Sequence, residues 1–289
     1  MMMRFLGIAI ALIAHLLLGV TVWFLFPFLM GRQALPAEEP SAVWWLCDIL
    51  LIVQFGLAHS LLLAPGVRRR LECLVSRPLY GCCFTLVTCS SLLLLILAWQ
   101  RSPVVIWHLS GSAKMAIQAG YLSSWAGLFY AIGLTGYGLQ TGWTSFRAWV
   151  RGEAQPRRVF TARGAYRWLR HPVYLCFLGL VWFTPSMTLD RTLLTGLMTA
   201  YIFLGSYLKD RRLTFYLGDV YREYQARVRG YPFIGFGPLG RVSQSPTPSG
   251  RPAAIQSIGQ GEVLAPLGGS VETGRSRNYN SAEINTSIR

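Results

Sequence analysis

Long apolar runs alternate with short polar connections along the first three quarters of the chain. An α-helix needs about 20 predominantly apolar residues to cross the hydrocarbon core of a bilayer. Five runs approach or exceed this length and one is shorter; they lie at 5–30, 43–64, 79–99, 121–140, 193–208 and, for the short run, 174–185. The pattern predicts an all-α integral membrane protein with five transmembrane helices.

The short run is expected to form one arm of a helical hairpin. About 12 residues of helix extend only about 18 Å, which is less than the thickness of the hydrocarbon core. The segment 184–188 contains Pro185 and separates this run from the next, and proline interrupts a helix. We therefore predict a short helix that turns back against the last transmembrane helix.

The distribution of basic residues predicts the orientation in the membrane, because cytoplasmic connections retain arginine and lysine. The connections 65–78 and 141–173 contain four and seven arginines, whereas 31–42 and 100–120 contain one and two basic residues. This alternation places both termini on the cytoplasmic side. The connection 141–173 lies on that side as well.

The overall charge points to lipid rather than nucleic acid as the partner. The net charge is +15, from 27 Lys and Arg against 12 Asp and Glu. Because the basic residues lie between apolar runs, we expect them to meet the anionic head groups of membrane lipids, and we expect no nucleic-acid partner. The six cysteines lie in or beside apolar runs without the spacing of metal ligands, so no metal site is predicted.

The sequence after the last apolar run has two parts, an amphipathic segment followed by a polar one. Apolar residues at helical spacing alternate with arginines between 211 and 229, which predicts an amphipathic helix in the cytoplasmic interface, divided at Gly218 and capped by Asp219. From about Arg241 the sequence is too polar to offset the entropy of an ordered chain. We assign 1–42 to the first helix and an external loop, 43–232 to the membrane core, and 233–289 to a disordered cytoplasmic tail.

The densest polar chemistry lies at 163–174, just ahead of the short run. Arg170 and His171 precede Pro172, and proline suits the first turn of a helix because its missing N–H has no partner there. A helix N-terminus beside a guanidinium forms a site for a carboxylate or phosphate. The alternative is a positively charged membrane anchor with Tyr174 in the aromatic belt.

Two further polar positions are candidates for function. His59 lies near the cytoplasmic end of the second run, where a histidine is costly and marks a functional site unless it points to water. Asp210 stands among the cations Lys209, Arg211 and Arg212. It is either part of a salt-bridged helix end or an acceptor for the hydroxyl or ammonium groups of a ligand.

Several familiar functions lack their signatures in this sequence. There is no Gly-rich phosphate loop, no Gly-x-Ser-x-Gly elbow and no His-Glu-x-x-His motif. A transporter typically has broken helices in matching halves, and the runs show no such symmetry. These absences disfavour nucleotide hydrolysis, serine-based acyl transfer, zinc peptidase chemistry and transport.

An ordered set of motifs resembles a known family. The motifs are Tyr166-x-x-x-Arg170-His171-Pro172-x-Tyr174, Lys209-Asp210-Arg211-Arg212-Leu213 and Gly218-Asp219-x-Tyr221-x-x-Tyr224. They resemble the donor-binding half of the isoprenylcysteine carboxyl methyltransferase superfamily, and are most similar to its bacterial NnrU-like and methanethiol S-methyltransferase branch. The resemblance covers about 45–232, with further likeness at 58–60, 77–80, 99–103 and 184–189. One departure is Lys209, because the family usually has a Glu-Glu pair where this chain has Lys209-Asp210.

The resemblance implies a membrane-embedded methyltransferase of the bacterial inner membrane that binds S-adenosylmethionine at its cytoplasmic face and methylates a small apolar or lipid-like thiol. The donor-binding residues it implies are Tyr166, Arg170, His171, Pro172, Tyr174, Asp210, Leu213, Tyr221 and Tyr224. Catalysis would fall to His59 and Arg170, as cations that lower the pKa of the thiol. Two alternatives remain: an isoprenylcysteine-type carboxyl methyltransferase, and a non-catalytic NnrU-like protein that assists a redox system.

Overall fold

The computed structural model of the protein describes residues 2–31, 41–155 and 160–242. Within these ranges the chain is mostly α-helical. The α-helices are α1 Met2–Met30, α2 Ala42–Leu63, α3 Pro65–Leu71, α4 Tyr80–Ala98, α5 Gly111–Thr135, α6 Tyr137–Thr141, α7 Trp143–Arg151, α8 Pro172–Trp182, α9 Leu189–Leu217 and α10 Asp219–Arg227. A 3₁₀ turn covers Gly164–Arg167, and two short strands are β1 Val105–His108 and β2 Ser186–Thr188.

Three of these helices are long and apolar enough to cross a membrane, namely the segments Arg4–Met30, Val43–Leu63 and Tyr80–Ala98. Their outer surfaces carry large exposed apolar side chains, such as Trp23 at 77% and Leu16 at 71%. Such surfaces favour hydrocarbon over water. The prediction of an integral, mainly helical membrane protein is confirmed.

The bounds of α5 and α9 differ from the apolar runs that predicted them: α5 begins and ends earlier than its run, and α9 extends beyond its run at both ends. The run 121–140 corresponds to α5, which begins at Gly111 and ends before Gly136, where a φ of +87° breaks the helix. The run 193–208 is the middle of α9, a helix of 29 residues. The hydropathy of the sequence identified only the apolar middle of α9. Both ends of this helix carry charged residues, and the fold buries Asp190, Arg191 and Asp210 among them.

The core is built where α1, α2, α4, α5, α8 and α9 pack together. Trp99, Tyr121 and Leu180 are among its fully buried side chains, and the Tyr121 hydroxyl donates a 2.6 Å hydrogen bond to the carbonyl of Phe26 in α1. At the other end of the bundle, Gly81 of α4 lies in backbone contact with Gly142, which has a φ of +82° between α6 and α7. A side chain at either glycine would separate these helices.

The short helix α8 ends at Trp182 and packs against α9, as expected for a hairpin arm. The connection between them contains β2, which pairs antiparallel with β1 and aligns Val105 with Thr188 and Trp107 with Met187. The prediction of an entirely helical chain therefore missed a two-stranded sheet. Each strand is only three or four residues long, so neither produces a clear alternating pattern.

A buried polar cluster holds the start of α9 against α1 and α4. Asp190 accepts hydrogen bonds from Trp99 Nε1 (3.1 Å), the backbone N–H of Ser102 (3.1 Å) and Thr188 Oγ1 (2.5 Å). The neighbouring Arg191 donates to the carbonyls of Leu29 and Phe28 at the end of α1. We call these residues the Asp190 cluster; they account for the polar motifs at 99–103 and 184–189.

Gly218 separates α9 from α10, as predicted. It has a φ of +57°, a conformation that glycine adopts without steric cost. The prediction that Asp219 caps α10 is wrong, because Gly218 occupies the cap position and Asp219 is the first residue of the helix. The exposed Asp219 carboxylate instead accepts a 2.6 Å hydrogen bond from Arg222.

Candidate functional site

Arg170 lies at the centre of a second buried polar cluster and is 1% exposed. Its guanidinium pairs with Asp210 Oδ2, at 3.2 Å from Nε and 3.0 Å from Nη2. The remaining contacts are to the carbonyls of Gln225 (3.1 Å), Val228 (2.7 Å), Pro238 (2.9 Å) and Gly240 (2.8 Å). All five N–H groups of the side chain are thus engaged within the protein. The predicted contact of Arg170 with a ligand stays a prediction.

The acceptors of Arg170 correct the predicted start of the tail. Pro238 and Gly240 lie in the segment 233–242, which the sequence assigned to a disordered tail from 233 onward. The carbonyl oxygens of both residues accept hydrogen bonds from the buried guanidinium, so this segment belongs to the folded core. The predicted disorder of 243–289 lies outside the described residues.

Backbone hydrogen bonds fix the segment that leads into α8. The N–H groups of Arg170 and His171 donate to the carbonyls of Arg229 (2.9 Å) and Gly230 (3.3 Å), and the N–H of Gly230 donates to Leu239 (2.9 Å). A Cβ atom at Gly230 would overlap the Leu239 carbonyl and press on the His171 ring. Three chain segments therefore meet at a point where only glycine fits.

Asp210 is a buried carboxylate, 3% exposed, rather than part of an exposed helix end. Besides Arg170, it accepts a 2.5 Å hydrogen bond from the Tyr221 hydroxyl. Burial alone raises the pKa of a carboxyl, but the contacts with His171, Arg170 and Tyr221 outweigh it and hold the pKa of Asp210 below its ordinary value. Burial and the adjacent Asp210 raise the pKa of Tyr221. Asp210 is therefore ionised at neutral pH.

His171 is fully buried but incompletely bonded. Its Nε2 lies 3.2 Å from Asp210 Oδ2 without the alignment of a hydrogen bond, and Nδ1 has no hydrogen-bond partner among the described residues. The rings of Tyr174 and Tyr231 border the imidazole at 5.6 and 5.5 Å. Burial lowers the pKa of His171, partly offset by Asp210. Buried polar groups are normally paired, so this neutral ring is free to bond a ligand.

Lys209 lies between two tyrosine rings. Its Nζ is 5.3 Å from the ring centre of Tyr174 and 5.6 Å from that of Tyr166, within the range of a cation–π interaction. In the part of the chain that the structure describes, this amine makes no hydrogen bond or ion pair. The sequence analysis predicted both tyrosines as site residues but not the lysine. The only indication for Lys209 was that it departs from the residue usual in the family.

The remaining predicted donor-site residues surround this cluster. Tyr224 donates a 2.5 Å hydrogen bond to the carbonyl of Tyr166, and its ring lies 5.6 Å from that of Tyr221. Pro172 is the buried first residue of α8, and Leu213 lies one helical turn after Asp210. The structure thus brings together Tyr166, Arg170, His171, Pro172, Tyr174, Asp210, Tyr221 and Tyr224. An open cavity of about 280 Å³ lies beside Asp210, lined also by Gln225 and Pro238.

His59 lies elsewhere, between α2 and α9. Its Nδ1 is 2.9 Å from the Tyr201 hydroxyl, which is also 3.0 Å from Ser60 Oγ. The imidazole packs near the rings of Phe55 and Phe84 rather than pointing freely into water. Tyr201 precedes Asp210 by nine residues of α9, or about 13 Å along the helix. The structure therefore does not bring His59 into direct contact with the Arg170 cluster.

The cluster suits a cationic ligand that also carries hydroxyl groups. Two facing tyrosine rings stabilise a sulfonium or ammonium, and the unpaired nitrogens of His171 accept or donate a hydrogen bond. The carboxylate of Asp210 adds negative charge at the edge of the cavity. These groups fit a sulfonium nucleoside such as S-adenosylmethionine. We call Tyr166, His171, Tyr174, Lys209 and Asp210, with Arg170 behind them, the Asp210 cluster.

Comparison with known proteins gave consistent matches. The sequence profile described as NnrU protein matches residues 49–259. Methanethiol S-methyltransferase 1 of Bradyrhizobium diazoefficiens is 28% identical over 236 residues, covering 78% of this chain and 81% of that protein. Methanethiol S-methyltransferase of Mycobacterium tuberculosis is 29% identical and covers 77% and 92%. Nurim of Rattus norvegicus is 26% identical and covers 65% and 74%.

These matches confirm the resemblance that the ordered motifs indicated. They extend over most of the predicted membrane core and include the whole Asp210 cluster. No solved structure is significantly similar to the chain.

Proposed function

The chain belongs to the NnrU protein family, and on this premise we propose that it is a membrane-embedded methyltransferase. In this proposal S-adenosylmethionine is the methyl donor and a small or lipid-like thiol is the acceptor. The names of the relatives support methyl transfer to sulfur. The observation that carries the proposal is the fully buried His171, whose ring nitrogens make no hydrogen bond and whose neighbour Tyr174 is one of the two tyrosine rings that already hold a cation.

The members of the Asp210 cluster other than Lys209, together with Leu213, have roles in holding the donor. The Tyr166 and Tyr174 rings face the sulfonium, and His171 bonds a polar group of the donor. Asp210 provides negative charge at the cavity, while Leu213 offers an apolar surface to the nucleoside. Arg170 acts as a positioning residue, because it fixes Asp210 and the segment before α8.

Methyl transfer requires mainly that the two sulfur atoms are aligned and that water is excluded from the site. The sulfonium of the donor supplies an electrophilic methyl group. A thiolate that approaches a sulfonium loses charge on the way to the transition state, so an apolar, water-poor site favours reaction. Holding the two sulfur atoms in line around the methyl group provides much of the rate. Cationic side chains nearby lower the pKa of the thiol, which was the role predicted for His59 and Arg170.

The same proposal includes a membrane arrangement. We place α5 and α9 across a bacterial inner membrane together with the three long apolar helices, so that five spans leave both termini in the cytoplasm. Asp190 and Leu208 are 18 residues apart in α9, about 27 Å along the helix, which approaches the thickness of the hydrocarbon core and leaves Lys209 and Asp210 outside it on the cytoplasmic side. The arginine-rich connections then face the anionic cytoplasmic leaflet.

Titration of S-adenosylmethionine into the purified protein in detergent tests the donor site. We expect saturable binding that is lost in His171→Ala and kept in His108→Ala, which changes an exposed histidine of β1. Transfer of a labelled methyl group is then measured with a panel of thiols and with a prenylated cysteine that offers a carboxylate. Absence of donor binding by folded wild-type protein would refute the proposal, and transfer only to the carboxylate would favour the isoprenylcysteine-type reaction.

A non-catalytic role is the second candidate. Lys209 places its own cation between the two rings that the donor would use, and the five donors of Arg170 are already engaged. A protein that only assists a redox system has no need of an open donor site. The same titration separates the two candidates, because this role predicts no donor binding in wild type and restored binding in Lys209→Glu.

A further inference from the structure

Lys209 has a setting that differs from that of a simple surface cation. It is partly buried and faces Tyr166 from the segment before α8 and Tyr174 from α8 itself. The charged groups around it are Asp210 and Arg212 on its own helix, and the buried His171 lies close enough to sense its charge. Its amine is thus directed at the same pair of rings that the proposed donor requires.

Two positive charges cannot share this pair of rings at low cost. A like charge within a few ångströms disfavours the charged form of a titratable group, so a sulfonium between the rings favours a neutral amine at Lys209. A neutral amine has a free electron pair and accepts a proton. After methyl transfer the sulfonium charge is gone, and the rings are again available to an ammonium.

We propose that Lys209 is the general base of the reaction, taking the proton from the thiol and then resting as an ammonium between Tyr166 and Tyr174. The inference depends on the proposed function. Burial lowers the pKa of the Lys209 amine to about 8, with Asp210 opposing and Arg212 reinforcing the shift, which suits a base at neutral pH. An unperturbed lysine, with a pKa near about 10.4, would rarely be neutral there.

The atoms and charges balance. Lys209 receives the thiol proton on Nζ as the S–H bond breaks, and the electron pair stays on sulfur. That pair forms the new bond to the methyl carbon, while the bond between the methyl carbon and the donor sulfur breaks and leaves its pair on the departing thioether. One positive charge moves from the sulfonium to Lys209. The ammonium then releases its proton to water.

Labelling of the amine tests this inference without measuring activity. The chain has two lysines, Lys209 and Lys114, and Lys114 is exposed in α5 and serves as the internal reference. We expect brief acylation followed by mass spectrometry to give a midpoint near pH 8 for Lys209, below the value of about 10.4 that is ordinary for a lysine side chain. Saturating S-adenosylmethionine should lower the Lys209 midpoint only. Equal midpoints for both lysines, with no response to the donor, would overturn the inference.

Two substitutions separate a base from a fixed cation. We expect Lys209→Met and Lys209→Arg to lose about 10²- to 10⁴-fold in kcat/KM for methanethiol, because neither side chain accepts a proton at neutral pH. The loss should be much smaller for 4-nitrobenzenethiol, because this thiol is already ionised at neutral pH and needs no base. Full activity of Lys209→Arg toward methanethiol would overturn the base and assign a purely electrostatic role.

The failure of the inference and that of the proposed function are distinguishable. If wild-type protein transfers methyl groups and Lys209→Met does so equally well to methanethiol, the inference alone fails. If folded wild-type protein binds no S-adenosylmethionine, both fail. Unfolding temperatures of the variants establish that a loss is not a failure to fold, and the labelling of wild-type protein needs no variant at all.

Discussion

The two ends of α9 carry buried polar clusters, and the clusters differ in how many of their polar groups have hydrogen-bond partners. At the start of the helix, both oxygens of Asp190 accept hydrogen bonds and Arg191 donates to two carbonyls of α1. At the other end, Arg170 and Asp210 are equally well paired, but His171 and Lys209 beside them are not. Each cluster contains one buried aspartate and one buried arginine.

This difference suggests different roles for the two clusters: one stabilises the fold, and the other is available to bind a ligand. A fully bonded cluster such as that of Asp190 holds helices together and offers nothing to a ligand. A cluster with unpaired buried groups keeps an unfavourable contact with its surroundings until a ligand completes it. Within these two clusters, the unpaired His171 and Lys209, rather than charge or burial, mark the cluster that we propose to bind a ligand.

The largest effect is expected for Asp210→Asn. The substitution leaves the guanidinium of Arg170 buried without a counter-charge, which costs about 3 to 5 kcal/mol of unfolding free energy. Donor binding should be lost as well. Asp219→Asn is the matched control, because its ion pair with Arg222 is exposed and contributes at most about 1 kcal/mol. Denaturant unfolding in detergent measures both, and equal stabilities would contradict the assigned pairing.

Asp190→Asn is expected to destabilise without affecting the donor site. Loss of hydrogen bonds to a buried carboxylate costs about 1 to 3 kcal/mol. Titration of the folded variant with S-adenosylmethionine should give the wild-type affinity. A variant that folds but binds the donor poorly would contradict the purely structural role of the Asp190 cluster, because this cluster would then contribute to binding.

Acid is expected to destabilise wild-type protein more than His171→Gln. Burial lowers the pKa of folded His171, so below about pH 6.5 the unfolded chain binds more protons than the folded one. Stability is therefore lost as the pH falls, by at most about 1.4 kcal/mol per pH unit for this one group. Asp210 stays ionised in both states between pH 8 and 5 and adds no slope there. Unfolding curves at pH 8, 6.5 and 5 should diverge for the two proteins; parallel curves would mean that His171 is not buried as a neutral ring.

The smallest effect is expected for Asp48→Asn. Asp48 is fully buried near the Asp190 cluster; one carboxylate oxygen accepts from the N–H of Gln100 at 3.1 Å, and the other has no partner among the described residues. A neutral amide costs less to bury than an unpaired carboxylate. Stability should therefore stay the same or rise by up to about 1 kcal/mol. A clear loss in the unfolding midpoint would show that Asp48 is a full member of the structural cluster.

The sequence predicted what depends on local pattern. The apolar helices follow from hydropathy, and the approach of Arg170 to Asp210 follows from the order of the family motifs. Two features of the site could not be predicted from the sequence. The acceptors at Pro238 and Gly240 are backbone carbonyls, which have no side-chain signature and lie in a Gly- and Pro-rich stretch that looks like a tail. The position of Lys209 between two rings depends on the register of α9 against α8, which is set only by packing.

The contact between Arg170 and Gly240 also sets an order of events during synthesis. A ribosome delivers the apolar helices and the whole of α9 and α10 before it reaches residue 240. Until then the guanidinium of Arg170 lacks two of its carbonyl acceptors, and the segment before α8 lacks the Leu239 partner of Gly230. The site is thus the last part of the described fold to close. A stop codon just ahead of residue 238 would yield a protein that has every helix of the described residues but lacks two acceptors of the buried Arg170 guanidinium.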